Sequence, residues 1–230
     1  MKRILALTPY RIVRRAENRF EAIEFSLRLL RAMGYQPPRI IDGGAHTGQF
    51  TRLALSVFPA AQVEMFEPQA ACGPQLQALA RREPRCRFHP AALGAPEDRA
   101  KGLRLSLHDG PCTGAHVAEA GQPVAVTCLD DLEAPAGTLL KMDLQGYEMQ
   151  ALRGGERLLE QVEVILTEVS FFRQGYEPRV VDLIAWLDQR RFDLFDVAAL
   201  SGRTRDNRLR QGDLVFVRRG SPLLADTRWA

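Results

Sequence analysis

Cysteine is scarce in this chain of 230 residues: Cys72, Cys86, Cys112 and Cys128 are the whole set. No two form a Cys-x-x-Cys and none sits at finger-like spacing, which removes a zinc finger and a dithiol redox motif. Lysine is scarcer still, with Lys2, Lys101 and Lys141 against 28 arginines. That ratio reflects coding bias more than a nucleic-acid face. The clusters Arg81, Arg82, Arg85, Arg87 and Arg203, Arg205, Arg208, Arg210 lack the interleaved aromatics of a base-stacking surface. They read as solvated faces, and no nucleic-acid partner is expected. No apolar run approaches the ~18 residues needed to span a bilayer. The start is basic, but Pro9 interrupts its apolar stretch after a few residues, short of the ~7–15 that a signal peptide needs. A cytoplasmic protein with reduced thiols is therefore expected. Glycine (18) and proline (14) are too scattered for a low-complexity polymer. What remains is ordinary for a globular domain: 46% hydrophobic, 26% charged and a net charge of +3.

From Arg11 to Met33 the apolar residues Ile12, Ala16, Phe20, Ile23, Leu27 and Leu30 recur every three or four positions, which is one face of a helix. Its other face mixes arginines with Glu17, Glu21 and Glu24. Packing against its own domain is the favoured reading, with peripheral contact to a membrane as the alternative. Residues 1–36 are thus read as an amphipathic helical segment, 37–220 as the main domain and 221–230 as a tail. Beyond Pro38, short apolar runs alternate with helical patterns. Strands are expected at 39–42, 63–67, 86–89, 139–143 and 164–168, and helices at 50–58, 74–82, 148–159 and 179–190. Such alternation implies a mostly parallel sheet. Two pairs of strands lack an intervening helix and should pair antiparallel: 103–107 with 124–128, and 192–200 with 214–217. The polar stretch 201–211 reads as a loop.

The most informative segment is Ile41-Asp42-Gly43-Gly44-Ala45-His46-Thr47-Gly48. A glycine-rich turn leaves a strand and opens a helix, where nucleotide-like ligands bind in open α/β sheets. Glu67 ends the next strand, 23 residues after Gly44. An acid about 20 residues on is placed for ribose hydroxyls. Ala45 replaces the middle glycine of a dinucleotide fingerprint. Asp42, just before the loop, would repel a diphosphate and attract an ammonium group. S-adenosylmethionine carries a ribose, an ammonium and a sulfonium, and no phosphate, so it suits both acids. A strand–turn–helix with tight-packing glycines and no ligand is the bland alternative. In Lys141-Met142-Asp143-Leu144-Gln145-Gly146-Tyr147-Glu148, Asp143 ends a strand that should be central and so points at the same crevice. Asp143 is read as functional in preference to an N-cap. Glu148 is left open between a site role and complementing a helix dipole.

The ordered motifs at 41–48, Phe-Glu-Pro (66–68), Ala-Ala-Leu-Gly (91–94), Thr-Cys-Leu-Asp-Asp-Leu (127–132), Leu-Lys-Met-Asp-Leu-Gln-Gly-Tyr-Glu (140–148), Leu-Arg-Gly-Gly (152–155), Leu-Thr-Glu-Val (166–169) and Gly-Asp-Leu-Val-Phe-Val-Arg (212–218) resemble FkbM-type S-adenosylmethionine-dependent methyltransferases. The resemblance runs from about Arg39 to Arg218. His46 stands where Asn is common and Gln145 where an acid is common. The resemblance implies an α/β, Rossmann-like class I methyltransferase fold, a mostly parallel seven-stranded sheet with an antiparallel last strand, to which the periodicity adds the N-terminal helix. It also implies O-methylation of a hydroxyl on a sugar, glycan or polyketide-like molecule. Asp42, Gly43, Gly44, Ala45, Gly48, Glu67, Pro68, Ala92 and Asp143 become the expected cofactor residues.

Asp143 and His46 are the expected catalytic residues, with His108 and His116 in reserve. His108, Cys112 and His116 are one ligand short of a closed zinc site and are read as polar loop residues. Asp143 with Glu168 could hold a divalent cation, but no metal is the favoured reading. A nicotinamide-dependent oxidoreductase and an inactive binding module of the same fold are the competing functions.

Overall fold

The computed structural model describes residues 18–106, 113–172, 179–226 and 228. Helix α1 (Arg19–Ala32) starts at Asn18, whose side chain accepts the Glu21 backbone N–H as a helix cap. Strand β1 (Arg39–Gly43) leads through the glycine turn into α2 (Gln49–Val57), then β2 (Gln62–Phe66), α3 (Gly73–Arg82) and β3 (Cys86–His89). Two short elements follow, β4 (Ala91–Leu93) and α4 (Pro96–Lys101). Next come β5 (Leu103–Leu105), β6 (Gln122–Thr127), β7 (Thr138–Met142), α5 (Glu148–Arg153), α6 (Glu156–Leu159) and β8 (Val162–Ser170). The chain closes with α7 (Val180–Gln189), β9 (Phe192–Arg203) and β10 (Leu209–Arg218).

Seven strands form the main sheet in the order β3-β2-β1-β7-β8-β10-β9. Only β10, the last in the chain, runs antiparallel to its neighbours, as the family resemblance implied. The strand order reverses between β1 and β7, which opens a crevice at their carboxyl ends. Alternate residues feed opposite cores. Ile40, Leu139, Val164 and Val215 face one layer, with Ile23, Leu27 and Leu30 of α1. Ile41, Leu140, Ile165 and Phe216 face the other, with α5, α6 and α7. All five residues of β7 are buried, which is why it reads as one apolar run. A second sheet, β4-β6-β5, flanks the crevice, with β5 antiparallel to β6.

Three expectations change. The helix at 148–159 is broken at Gly154-Gly155, because a Cβ on Gly154 would stand 2.2 Å from the Gly94 carbonyl oxygen. The supposed loop at 201–211 is largely hairpin, β9 and β10 running on to a turn closed by Thr204 N–H donating to Arg208 O. Its residues are polar on both faces, so they carry no period-two signal. Elements β4 and α4 were missed because three and six residues are too short to show periodicity. Of the expected α1 helix, residues 11–17 lie outside the described residues. No described helix is long and apolar enough to cross a membrane.

The inner face of α1 is fastened to the domain. Leu27 and Leu30 are fully buried, Ser26 Oγ donates to Asp196 Oδ2 at 2.6 Å, and Arg31 Nη1 donates to Val57 O at 2.7 Å. Phe25, Leu29 and Met33 point outward. Leu27→Ala should therefore cost about 2–5 kcal/mol in urea unfolding, while Phe25→Ala should stay within about 0.5 kcal/mol of wild type.

Candidate active site

Strand β1 delivers the chain into a tight turn beside the end of β2. The N–H groups of Gly44 and Ala45 both donate to Phe66 O, at 2.9 and 3.0 Å. Gly44 has φ +72°, and a Cβ there would stand 1.9 Å from the Asp143 carbonyl oxygen, so no other residue fits. Glu67 faces the same turn. Its carboxylate accepts the N–H of His46 at 2.8 Å and of Gln69 at 2.9 Å. A carboxylate offers about four lone-pair positions, so acceptor capacity remains for a ligand in the cavity that Glu67 lines.

Against the turn lies Lys141, buried one residue before the end of β7. Its Nζ donates to Gly43 O at 3.0 Å and Gly44 O at 2.8 Å, and pairs with Asp42 Oδ1 at 2.9 Å. Burial alone would favour the neutral amine, but Asp42 and Asp143 outweigh it and hold the ammonium charged above its ordinary range. Asp42 is fully buried and also accepts Thr51 Oγ1–H at 2.6 Å. The ammonium that Asp42 meets here is therefore the protein's own.

Three more carboxylates gather where β7, β8 and β10 lie side by side: Asp143 just past the end of β7, Glu168 within β8 and Asp213 opposite it in β10. Asp143, Glu168 and Asp213 all pair with one guanidinium, Arg19 of α1. The amide of Gln145 bridges Asp143 Oδ1 at 2.7 Å and Glu168 Oε2 at 3.1 Å. Arg19 and Gln145 thus span the gap where a cation held by Asp143 and Glu168 was considered. Burial pushes the Asp143 carboxyl up, but Lys141 and Arg19 more than offset this and keep it below the usual range. Burial and the Asp143 charge push Glu168 up to about 9.

Beside this cluster lies a cavity of about 250 Å³. Arg19, Asp143, Gln145 and Asp213 lie on its wall, as do the apolar Ala92, Leu93, Leu105 and Val117. A methyltransferase FkbM domain model matches residues 42–194, about two thirds of the chain. The chain belongs to the FkbM methyltransferase family. A solved structure shares the fold. Against an rRNA methylase from Streptococcus thermophilus the TM-score is 0.51, with 12% identity over 91% of this chain and 99% of that one. Methyltransferase FkbM from Methylobacillus flagellatus gives 0.49 and 21% identity over 77% of this chain, which spans only 43% of that protein. A Burkholderia thailandensis 1,6-didemethyltoxoflavin-N1-methyltransferase, with S-adenosylhomocysteine bound, gives 0.48 and 15% over 86% and 78%. No curated protein matches.

Of the expected site residues of this FkbM domain, Gly44, Ala45, His46, Glu67, Pro68, Ala92 and Asp143 line the cavity, whereas Asp42, Gly43 and Gly48 do not. Those three shape the turn from behind it. His46 is on the cavity wall, and its Nε2 is buried with no hydrogen-bond partner among the described residues. His108 and Cys112 lie outside the described residues. His116 is held by Gly114 O and Ser106 and is not on the cavity wall. Glu148 straps the turn after β7, accepting Leu144 N–H at 2.7 Å and Gly146 N–H at 3.4 Å. Sequence reasoning missed Arg19, Lys141, Gln145, Tyr147 and Asp213. Lys141 had a signal, since a lysine inside an apolar strand demands a buried partner. Arg19 had none.

Lys141→Met would leave Asp42 buried without its cation. It should cost about 3–5 kcal/mol in urea unfolding, and adding Asp42→Asn should recover part of the loss. Burial pushes the Glu148 carboxyl from 4.5 up to about 7, against its backbone hydrogen bonds. The folded state then holds this proton more tightly than the unfolded chain. Its contribution is complete below about pH 4.5 and is lost as pH rises through 7. Relative to Glu148→Gln, the wild type should lose up to about 3 kcal/mol across that window in denaturation at stepped pH.

Proposed function

We propose that this protein transfers the methyl group of S-adenosylmethionine to a hydroxyl of a sugar, glycan or polyketide-like small molecule. The observation that carries the reading is one cavity with Glu67 and the glycine turn on one part of its wall and the Asp143 group on another. The spare acceptor capacity of Glu67 suits ribose hydroxyls. The Gly44 turn lets backbone approach the amino-acid tail, and Pro68, Ala92 and Leu93 suit the apolar adenine face. When bound, the cofactor supplies an electrophilic methyl group on a sulfonium.

The chain's own residues then position and desolvate. Asp143, Gln145 and Asp213 offer hydrogen-bond acceptors to an incoming polyol, which favours a hydroxylated acceptor. Asp143 is held ionised, so it is a weak base toward an unreacted alcohol. A hydroxyl becomes strongly acidic only as its oxygen gains the methyl group. A fixed carboxylate that orients the hydroxyl can take the proton at that late stage. Turnover should fall about 10²–10⁴-fold in Asp143→Asn, measured as S-adenosylhomocysteine release over a panel of hydroxylated acceptors.

Glu67→Ala removes a charged acceptor worth about 1.5–3 kcal/mol, so calorimetry should show S-adenosylhomocysteine binding weakened about ten- to a hundredfold. The same ligand should raise the melting temperature of the wild type and NAD should not. Stabilisation by NAD alone would return the oxidoreductase reading, whose pyrophosphate would have to sit against the Asp42 end of the loop.

A further inference from the structure

We propose that Arg19 is a positioning residue: by holding Asp143, Glu168 and Asp213 at once it fixes the Asp143 carboxylate on the cavity wall and makes helix α1 a working part of the site. The contacts are a two-pronged bond to Asp213 (Nε to Oδ2 at 2.7 Å, Nη2 to Oδ1 at 2.5 Å), Nη2 to Glu168 Oε1 at 3.2 Å, and Nη1 to Asp143 Oδ2 at 3.0 Å. One side chain therefore ties together β7, β8 and β10. A guanidinium suits this task because its planar fork presents several fixed N–H groups, whereas an ammonium is a single point of charge.

The place of Arg19 is itself built. It is the first residue of α1, next to the Asn18 cap, and Ile23, Leu27 and Leu30 on the following turns are buried in the core. The helix cannot shift without exposing them, so the guanidinium is delivered to one spot. Every charged neighbour of Asp143 then matters. Lys141 approaches from β7, Glu168 from β8, Asp213 from β10 and Glu148 from α5, while Arg19 comes from α1. Lys141 is already committed to Asp42 and the turn carbonyls. Without Arg19, Asp143 faces acids on three sides with only a shared cation. Its carboxylate should then protonate at higher pH and lose its fixed orientation.

The inference rests on reading Asp143 as the group that faces the acceptor, and its test separates the two ideas. The Asp143 side-chain carboxyl is titrated by carbon NMR, with its signal assigned by its loss in Asp143→Asn. In Arg19→Gln the midpoint should rise by about 1–3 pH units, with Arg19→Lys between that variant and wild type. Binding of S-adenosylhomocysteine should be flat from pH 5 to 8 in wild type but about tenfold weaker at pH 5 than at pH 8 in Arg19→Gln, the factor expected where the Asp143 midpoint has moved to about one unit above pH 5. An unmoved midpoint with flat binding in Arg19→Gln would overturn the proposal. If Arg19→Gln does not fold, a wild-type midpoint and wild-type binding in Arg19→Lys overturn it instead. A wild type that binds no S-adenosylhomocysteine sinks the cofactor reading, while the titration midpoint still decides the role of Arg19.

Discussion

The architecture of the site depends on one buried ammonium. Lys141 is the cation that makes it tolerable for Asp42 to lie fully inside the protein, and it also holds the two carbonyls of the turn that follows. A buried carboxylate without a partner would neutralise or force the strand apart. With Lys141 in place, β1 and β7 end side by side with their charges matched, and the backbone between Gly43 and Ala45 is pulled down onto the sheet. That bend lets the Gly44 and Ala45 N–H groups reach Phe66 O and the His46 N–H reach Glu67. The cavity wall thus depends on a charge balance centred on one of its own residues, Lys141.

The same logic repeats at the far end of the crevice with a different cation. Asp143, Glu168 and Asp213 meet because β7, β8 and β10 are neighbours: Asp143 follows the end of β7, and Glu168 and Asp213 are paired in register on β8 and β10. Three carboxylates so close cannot all ionise without compensation. The compensation is uneven. Asp143, which meets both Lys141 and Arg19, is held ionised, while burial and the Asp143 charge push Glu168 the other way. Unequal surroundings give otherwise similar acids different work.

Much of the fold was legible because its signals are local. The period-two and apolar runs marked β1, β2, β7 and β8, and the glycine turn marked the start of α2. The antiparallel β10 followed from a strand pair with no helix between. What failed was short or two-sided: β4 and α4 lack the length for a period, and the hairpin tips at 201–211 are polar on both faces. The break at Gly154-Gly155 arises from a backbone approach to Gly94, about sixty residues away in the chain and invisible in it.

For the site, the sequence alone determined which chemistry is present: a glycine turn after a strand, an acid at the end of the next, and a motif set that identifies the family. It determined these because each depends on residues adjacent in the chain. Only the tertiary structure decided how the groups are used. It turned Asp42 inward onto Lys141, left Glu67 and Asp143 on the cavity wall, and sent His46 Nε2 into the interior. It also brought Arg19 to Asp213, 194 positions away. Long-range charge pairing is set by how layers dock, and docking is chosen by the burial of apolar faces that carry no record of which charges they will bring together.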